Sequence, residues 1–294
     1  MCQPERSEAK SLWSLGLQPL VIHDPPCGGK NLDYFIFIPA YNVSQTLADV
    51  LGRIPPAVMG RAEVLVIDDG SKDGTRGAFE AFVAGGKVAG IEVADCKNVA
   101  DGINVADDKV AGRLHYERFE KNSGYGAVVK RGIAAGLESG AKFVACLHGD
   151  GQYPAEKLDE FFAFLESSGA ALVQGSRHAI AGGAKAGKMP LYKRLGGAFL
   201  TALENLAFKQ KLTDRHSGFI VYSAEFLKTL DLDKLSPSFD IDLEIISIAD
   251  ARGFKMAELP IPTRYAGEKS NLNVVTYGLR VLRQTWRRLI KASA

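Results

Sequence analysis

The sequence is short of cysteine. Its four, Cys2, Cys27, Cys96 and Cys146, lie scattered, and none forms a Cys-x-x-Cys pair. That spacing excludes the usual zinc and thiol-redox motifs and points to free thiols in a reducing, cytoplasmic setting. Long apolar runs are missing as well: none approaches the roughly 18 residues that cross a bilayer. The N-terminus lacks the basic-then-apolar pattern of a signal peptide. Net charge is scarce, since 36 Lys+Arg against 34 Asp+Glu leave +2. The molecule as a whole is therefore no polyanion binder, and any hold on phosphate must come from local patches. What remains is a chain of 294 residues with an ordinary globular balance of apolar and charged side chains. It is long enough for one large α/β domain or two small ones.

Residues 1–32 are punctuated by Pro4, Pro19, Pro25, Pro26, Gly28 and Gly29 and show no periodicity, which predicts an irregular extension. From Tyr34 the pattern changes. Continuous apolar runs at 34–38, 63–67 and 142–147 read as strands buried on both faces of a sheet. Shorter runs at 171–173, 219–222 and 255–259 read as further strands. Helical spacing appears at 46–54, with Leu47, Val50, Leu51 and Ile54, and at 126–137, with Val129, Ile133 and Leu137. Two more helices are expected at about 156–166 and 194–208. Strands alternating with helices predict an α/β fold with helices on both faces of a doubly wound sheet. The polar stretch 87–112 reads as a surface insertion, and no internal repeat is visible.

The first three strands all end in polar or glycine-rich sequence: Pro39-Ala40-Tyr41-Asn42, Asp68 to Thr75, and His148 to Pro154. In open α/β sheets ligands bind beyond the carboxyl ends of the strands. One such loop is most simply a turn, because Asp and Gly favour turns for backbone reasons. Three in succession suggest one site. Asp150 and Gln152 put a carboxylate and an amide oxygen on one strand-end loop, which suits Mg²⁺ or Mn²⁺ when a diphosphate and water complete the shell. His148 has three readings: a metal ligand, a phosphate contact, or packing. Asp68 and Asp69 can accept hydrogen bonds from a nucleobase or ribose, while Ser71 and Asp73 suit a helix N-cap. Tyr41 can stack on a base or fill the sheet edge.

Taken in order, Ile38-Pro39-Ala40-Tyr41-Asn42, Asp68-Asp69-Gly70-Ser71-Lys72-Asp73-Gly74-Thr75, Asn122-Ser123-Gly124-Tyr125-Gly126, Asp150-Gly151-Gln152 and Gly175-Ser176-Arg177 resemble the family-two glycosyltransferases of the GT-A fold. Within them the sequence is most similar to the dolichyl- and polyprenyl-phosphate hexosyltransferases. The likeness spans about 34–270 and extends through Asp214-Arg215-His216-Ser217-Gly218-Phe219 to Glu258-Leu259-Pro260-Ile261-Pro262 and Arg264. It implies a GT-A mixed sheet over 33–265, with inverting transfer of a hexose from a GDP- or UDP-sugar to a polyprenyl phosphate. By the same resemblance Pro39, Ala40, Tyr41, Asp68 and Asp69 would serve the nucleoside. Asp150 would hold the metal, assisted by Gln152 and in some measure His148. Arg177, helped by Lys193 or Arg194, would face the acceptor phosphate, and Arg264 would reach a phosphate from the C-terminal side. The chain departs from the family at Val43, where Glu is usual, at His148, where the first Asp of D-x-D is usual, and at Gly267-Glu268-Lys269-Ser270.

A phosphate acceptor is already an anion and needs no general base. A hydroxyl acceptor would need one, with Asp214 or Asp240 as candidates. A reading of another class is a catalytically silent nucleotide-sugar-binding protein. The segment 266–294 offers a basic amphipathic helix. Val275, Leu279, Leu282, Trp286, Leu289 and Ile290 line one side, and Arg280, Arg283, Arg287 and Lys291 lie beside them. Such a helix either lies in the interface at the inner face of a membrane or packs on the catalytic domain.

Overall fold

The computed structural model describes residues 32–85, 113–179 and 212–262, with positions 87–88, 91–92, 196, 200–202 and 205 between them. The expected N-terminal extension, most of the 87–112 insertion, Lys193, Arg194, Arg264 and the C-terminal amphipathic segment lie outside these residues. Much of the helix expected at 194–208 does too.

Seven strands form one sheet in the order β5-β2-β1-β6-β8-β7-β9. They are β1 (Tyr34–Ala40), β2 (Ala62–Asp68), β5 (Leu114–Arg118), β6 (Phe143–Cys146), β7 (Leu172–Ser176), β8 (Ile220–Ser223) and β9 (Met256–Pro260). Two short strands, β3 (Lys87–Val88) and β4 (Ile91–Glu92), pair separately as an antiparallel ribbon. The pairs β1 with β2, β1 with β6, β2 with β5, and β7 with β9 are parallel. β8 is antiparallel to both β6 and β7. Six strands therefore point one way and β8 alone is reversed. The sheet is mixed rather than wholly parallel, as the family resemblance implies.

The helices follow the strands. They are α1 (Leu47–Gly52), α2 (Pro56–Met59), α3 (Thr75–Ala84), α4 (Tyr125–Glu138), α5 (Leu158–Ser168), α6 (Ala224–Leu227) and α7 (Ile241–Ala251). Strand alternation explains how the sheet feeds two cores. Ile36, Ile38, Val64 and Val66 pack with Leu47 and Leu51 of α1 and Phe161 and Phe162 of α5. Phe35, Phe37, Leu65 and Ile67 face the other way, onto Val129 and Ile133 of α4 and Ile241 and Ile245 of α7. Because β8 runs backwards, the segment Asp214–Phe219 enters the sheet at the edge where the other strands end. That one reversal brings a distant stretch of chain to the strand-end loops.

Candidate functional site

The strand ends are stitched together through the backbone. The Asp69 amide donates to the Ala40 carbonyl at 2.8 Å, and the Gly149 amide donates to the Pro39 carbonyl at 3.0 Å. Pro39 and Ala40 close β1 beside Ile67 and Asp68 of β2, and Tyr41 follows half-buried. The run Asp68–Thr75 is spelled by its hydrogen bonds. Asp68 accepts from the Ser71 amide at 2.8 Å and the Tyr116 hydroxyl at 2.5 Å. Asp73 accepts from the Thr75 amide at 3.0 Å and the Ser44 amide at 3.1 Å. Thr75 Oγ1 in turn accepts from the Val43 amide at 2.9 Å. Gly70 sits at φ +73°, and a Cβ there would come within 2.9 Å of the Asn122 backbone nitrogen, so only glycine lets the two loops touch.

Asp69 is 5% exposed. Its two oxygens accept from the Ser123 amide at 2.6 Å and the Gly124 amide at 3.0 Å. Burial pushes its carboxyl above the ordinary range, the two amides pull it down, and neighbouring Asp68 pushes it up again. Asp69 thus joins the β2 loop to the start of α4. Each oxygen keeps a further lone pair that a nucleoside donor can use.

The third loop is held from α1. Thr46 Oγ1 donates to the Gly149 carbonyl at 2.7 Å. Arg53 reaches the Tyr153 carbonyl at 3.4 Å and Glu156 at 3.1 Å. On this loop Asp150 Oδ1 accepts from the Gln152 amide at 3.0 Å, and both side chains keep some surface. His148 Nε2 lies 3.1 Å from the Tyr125 hydroxyl, and its ring meets Tyr153 edge-on at 5.0 Å. Burial lowers the imidazole below its ordinary value, Asp150 opposes that, and Arg177 adds to it. The ring is therefore neutral at pH 7. Among the described residues no three His, Cys, Asp or Glu side chains gather as a metal cage. The donor set that exists, one carboxylate and one amide oxygen with an imidazole beside them, fits a sparse divalent site completed by ligand oxygens.

Arg177 follows β7 directly. Its Nε donates to Asp214 Oδ2 at 2.7 Å and its Nη2 to Asp214 Oδ1 at 2.9 Å, a bidentate pair. Nη2 also reaches the His216 carbonyl at 3.0 Å. The backbone amides of Arg177 and His216 donate to the same carboxylate. Glu258 accepts from the Asp214 amide at 2.9 Å and so fixes it from β9. Burial alone would raise the Asp214 carboxyl, but Arg177 overrides it and holds the group below the usual range. These contacts tie Asp214, one of the two candidate bases, into a fixed pair with Arg177. Asp240 is buried just ahead of α7 and accepts from the Ser236 hydroxyl at 2.8 Å.

The site is electrically one place. Burial raises the Tyr153 hydroxyl to about 12, with Arg177 pulling it down and Asp150 and Asp214 pushing it up. His148 feels both Asp150 and Arg177. Three contributors escaped the sequence reading. Arg53 braces the metal-type loop, Tyr125 bonds His148, and Asp242 bonds Tyr125 at 2.8 Å. Tyr125 lay in view inside the Asn122-Ser123-Gly124-Tyr125-Gly126 motif. Asp242 offered one signal, an acid set among the apolar positions of α7.

The glycosyl transferase family 2 model matches residues 35–106 and 101–231. A UDP-N-acetylglucosamine–dolichyl-phosphate N-acetylglucosaminyltransferase from Methanococcus voltae is 25% identical, covering 79% of this chain and 85% of its own. The polyprenol monophosphomannose synthase of Mycolicibacterium smegmatis is 27% identical, covering 77% and 75%. A solved glucosyl-3-phosphoglycerate synthase from Mycobacterium tuberculosis, in complex with Mn²⁺, UDP and phosphoglyceric acid, superposes with a TM-score of 0.57 at 17% identity. That match covers 87% of this chain and 78% of that one. The mixed seven-stranded sheet is thus the GT-A fold. With a family match running from β1 past the reversed strand β8, this chain belongs to glycosyl transferase family 2.

Proposed function

We propose that this glycosyltransferase moves a hexose from a GDP- or UDP-sugar to a polyprenyl phosphate, with inversion at the anomeric carbon. The observation that carries the reading is the Arg177–Asp214 pair. It holds a guanidinium close enough to influence His148 and Tyr153 of the Asp150 loop and engages Asp214, one of the two carboxylates that a hydroxyl acceptor would call on as base. A phosphate acceptor needs an oriented cation and no base. Relatives whose names specify dolichyl or polyprenyl phosphate acceptors support the same choice.

In this reading Pro39, Ala40, Tyr41, Asp68 and Asp69 seat the nucleoside at the ends of β1 and β2. Asp150 and Gln152, with His148 beside them, would hold a divalent ion. Mg²⁺ or Mn²⁺ bound there would offset the charge that builds on the departing diphosphate. Arg177 orients the acceptor phosphate with help from Lys193 or Arg194, and Arg264 would reach the diphosphate or the acceptor phosphate. An acceptor oxygen bonds to the anomeric carbon as the bond to the donor's diphosphate breaks. The electron pair leaves on the nucleoside diphosphate, and no proton needs to move. The chain's own work is positioning and charge placement.

Among the described residues no helix is long and apolar enough to cross a membrane. In this reading the basic amphipathic segment around Trp286 makes the approach to the lipid, as a peripheral contact at the inner face. Each basic residue near an anionic surface contributes about 1 kcal/mol, screened by salt. Arg177→Ala tests the acceptor assignment. Transfer to a lipid phosphate should collapse while slow donor hydrolysis persists. Full transfer in the variant would overturn it.

A further inference from the structure

His148 stands where the family usually has an acid, and its surroundings fix more than its position. Its Nε2 lies 3.1 Å from the Tyr125 hydroxyl oxygen. That hydroxyl donates to Asp242 Oδ2 at 2.8 Å, from a residue 117 positions away on α7. The rings have little freedom. Tyr125 stacks on Phe239 at 5.3 Å with 11° between planes. A Cβ at residue 218 would fall 2.6 Å from His148 Nε2, so Gly218 alone lets the imidazole reach Tyr125.

Counting protons along this row decides which histidine nitrogen is bare. An ionised carboxylate only accepts, so the proton between Asp242 and Tyr125 belongs to the tyrosine. The tyrosine oxygen can then only accept from His148. Nε2 must carry the imidazole's single proton, and Nδ1 is left with its lone pair. Asp242 is also expensive to keep. Its Oδ1 is sealed from solvent and has no hydrogen-bond partner among the described residues, a placement that structure alone does not reward. A carboxylate that sets a histidine tautomer through a hydrogen bond is a known way of tuning a ligand from behind.

We propose that Asp242 is a positioning residue. Acting through Tyr125, it fixes the Nε2–H tautomer of His148 and leaves Nδ1 as the nitrogen offered to the divalent ion beside Asp150. The assignment of that ion rests on the function proposed above, but the tautomer does not.

The test is nitrogen-15 NMR of the histidine rings in the full-length protein, without ligand, at about pH 8.5, where an ionised Asp242 meets a neutral imidazole. His148→Gln identifies the signal. The wild type should show a protonated Nε2 and a bare Nδ1. In Asp242→Asn the amide can donate to the tyrosine oxygen, which turns the tyrosine proton toward Nε2 and moves the imidazole proton to Nδ1. The tautomer should swing, and Mn²⁺ binding, read by calorimetry, should weaken by about 10- to 100-fold. Tyr125→Phe removes one oxygen and keeps the ring. It should also release the tautomer preference, and adding Asp242→Asn to it should change nothing further. A merely structural Asp242 would leave the ring nitrogens as they were. An Nδ1-protonated wild type, or an unchanged tautomer in both single variants, would overturn the proposal. A failed transfer assay alongside a swinging tautomer would instead count against the proposed reaction.

Discussion

Replacing Asp242 with asparagine should stabilise the fold in mild alkali, although the residue is bonded to the site. Burial pushes this carboxyl from an ordinary 3.8 up to about 7, against a smaller pull from the Tyr125 hydrogen bond. A folded-state value above the unfolded one means that the folded protein binds more protons across that window. Stability then falls as pH rises from about 4 to about 7 and stays reduced above it. The gap of about 3 units corresponds to about 4 kcal/mol at 1.36 kcal/mol per unit. Asparagine keeps the shape and removes the charge. It weakens the bond to Tyr125 by about 1 kcal/mol, so the net gain is about 3 kcal/mol at pH 8. At pH 4, where the wild-type carboxyl is protonated, the two proteins should be nearly equal. Urea unfolding at both pH values measures this, and the other carboxylates cancel because both proteins share them. An asparagine variant less stable than wild type at pH 8 would refute the reasoning. A stabilised variant with impaired chemistry would mark Asp242 as kept for function at the expense of the fold.

Asp150→Asn should leave thermal unfolding unchanged and raise the transfer barrier by several kcal/mol, about 100-fold or more in rate, for a removed ligand charge. Steady-state rates with added Mn²⁺ read this directly. Arg177→Ala strands the buried Asp214 carboxylate and should destabilise by about 3–5 kcal/mol in denaturant unfolding. Arg177→Met with Asp214→Asn removes both charges, keeps an acceptor for the Arg177 and His216 amides, and should recover part of that loss. Asp69→Ala leaves the Ser123 and Gly124 amides without their acceptor. It should cost about 2–4 kcal/mol of stability and raise KM for the donor more than it lowers kcat.

Much of the sheet was legible because most of its strands, the half-exposed β9 excepted, are buried on both faces and read as apolar runs. β1, β2, β6, β7, β8 and β9 all fall on expected segments. β5 was missed because Leu114-His115-Tyr116-Glu117-Arg118 is an edge strand with mostly half-buried polar side chains. α3 begins where Ser71 and Asp73 signalled a helix start, yet the spacing within Thr75–Ala84 buries only Thr75 and Phe79. α7 was missed because its run of isoleucines reads equally well as a strand. The order of the sheet and the reversal of β8 left no local mark, because they arise from pairing between distant segments. For the same reason, the strand-end motifs marked out the site's loops but not its partnerships. Arg177 and Asp214 were both singled out from the sequence. Only the fold joins them, as a bonded ion pair.

The decisive measurement incubates the full-length protein with Mn²⁺, radiolabelled GDP- and UDP-hexoses and a polyprenyl phosphate, and follows label into the organic phase. An organic-soluble hexosyl phosphate lipid should form from one donor class with the wild type and be lost in Asp150→Asn. Label that stays in water, as free sugar or as a soluble glycoside, would contradict the proposed transfer.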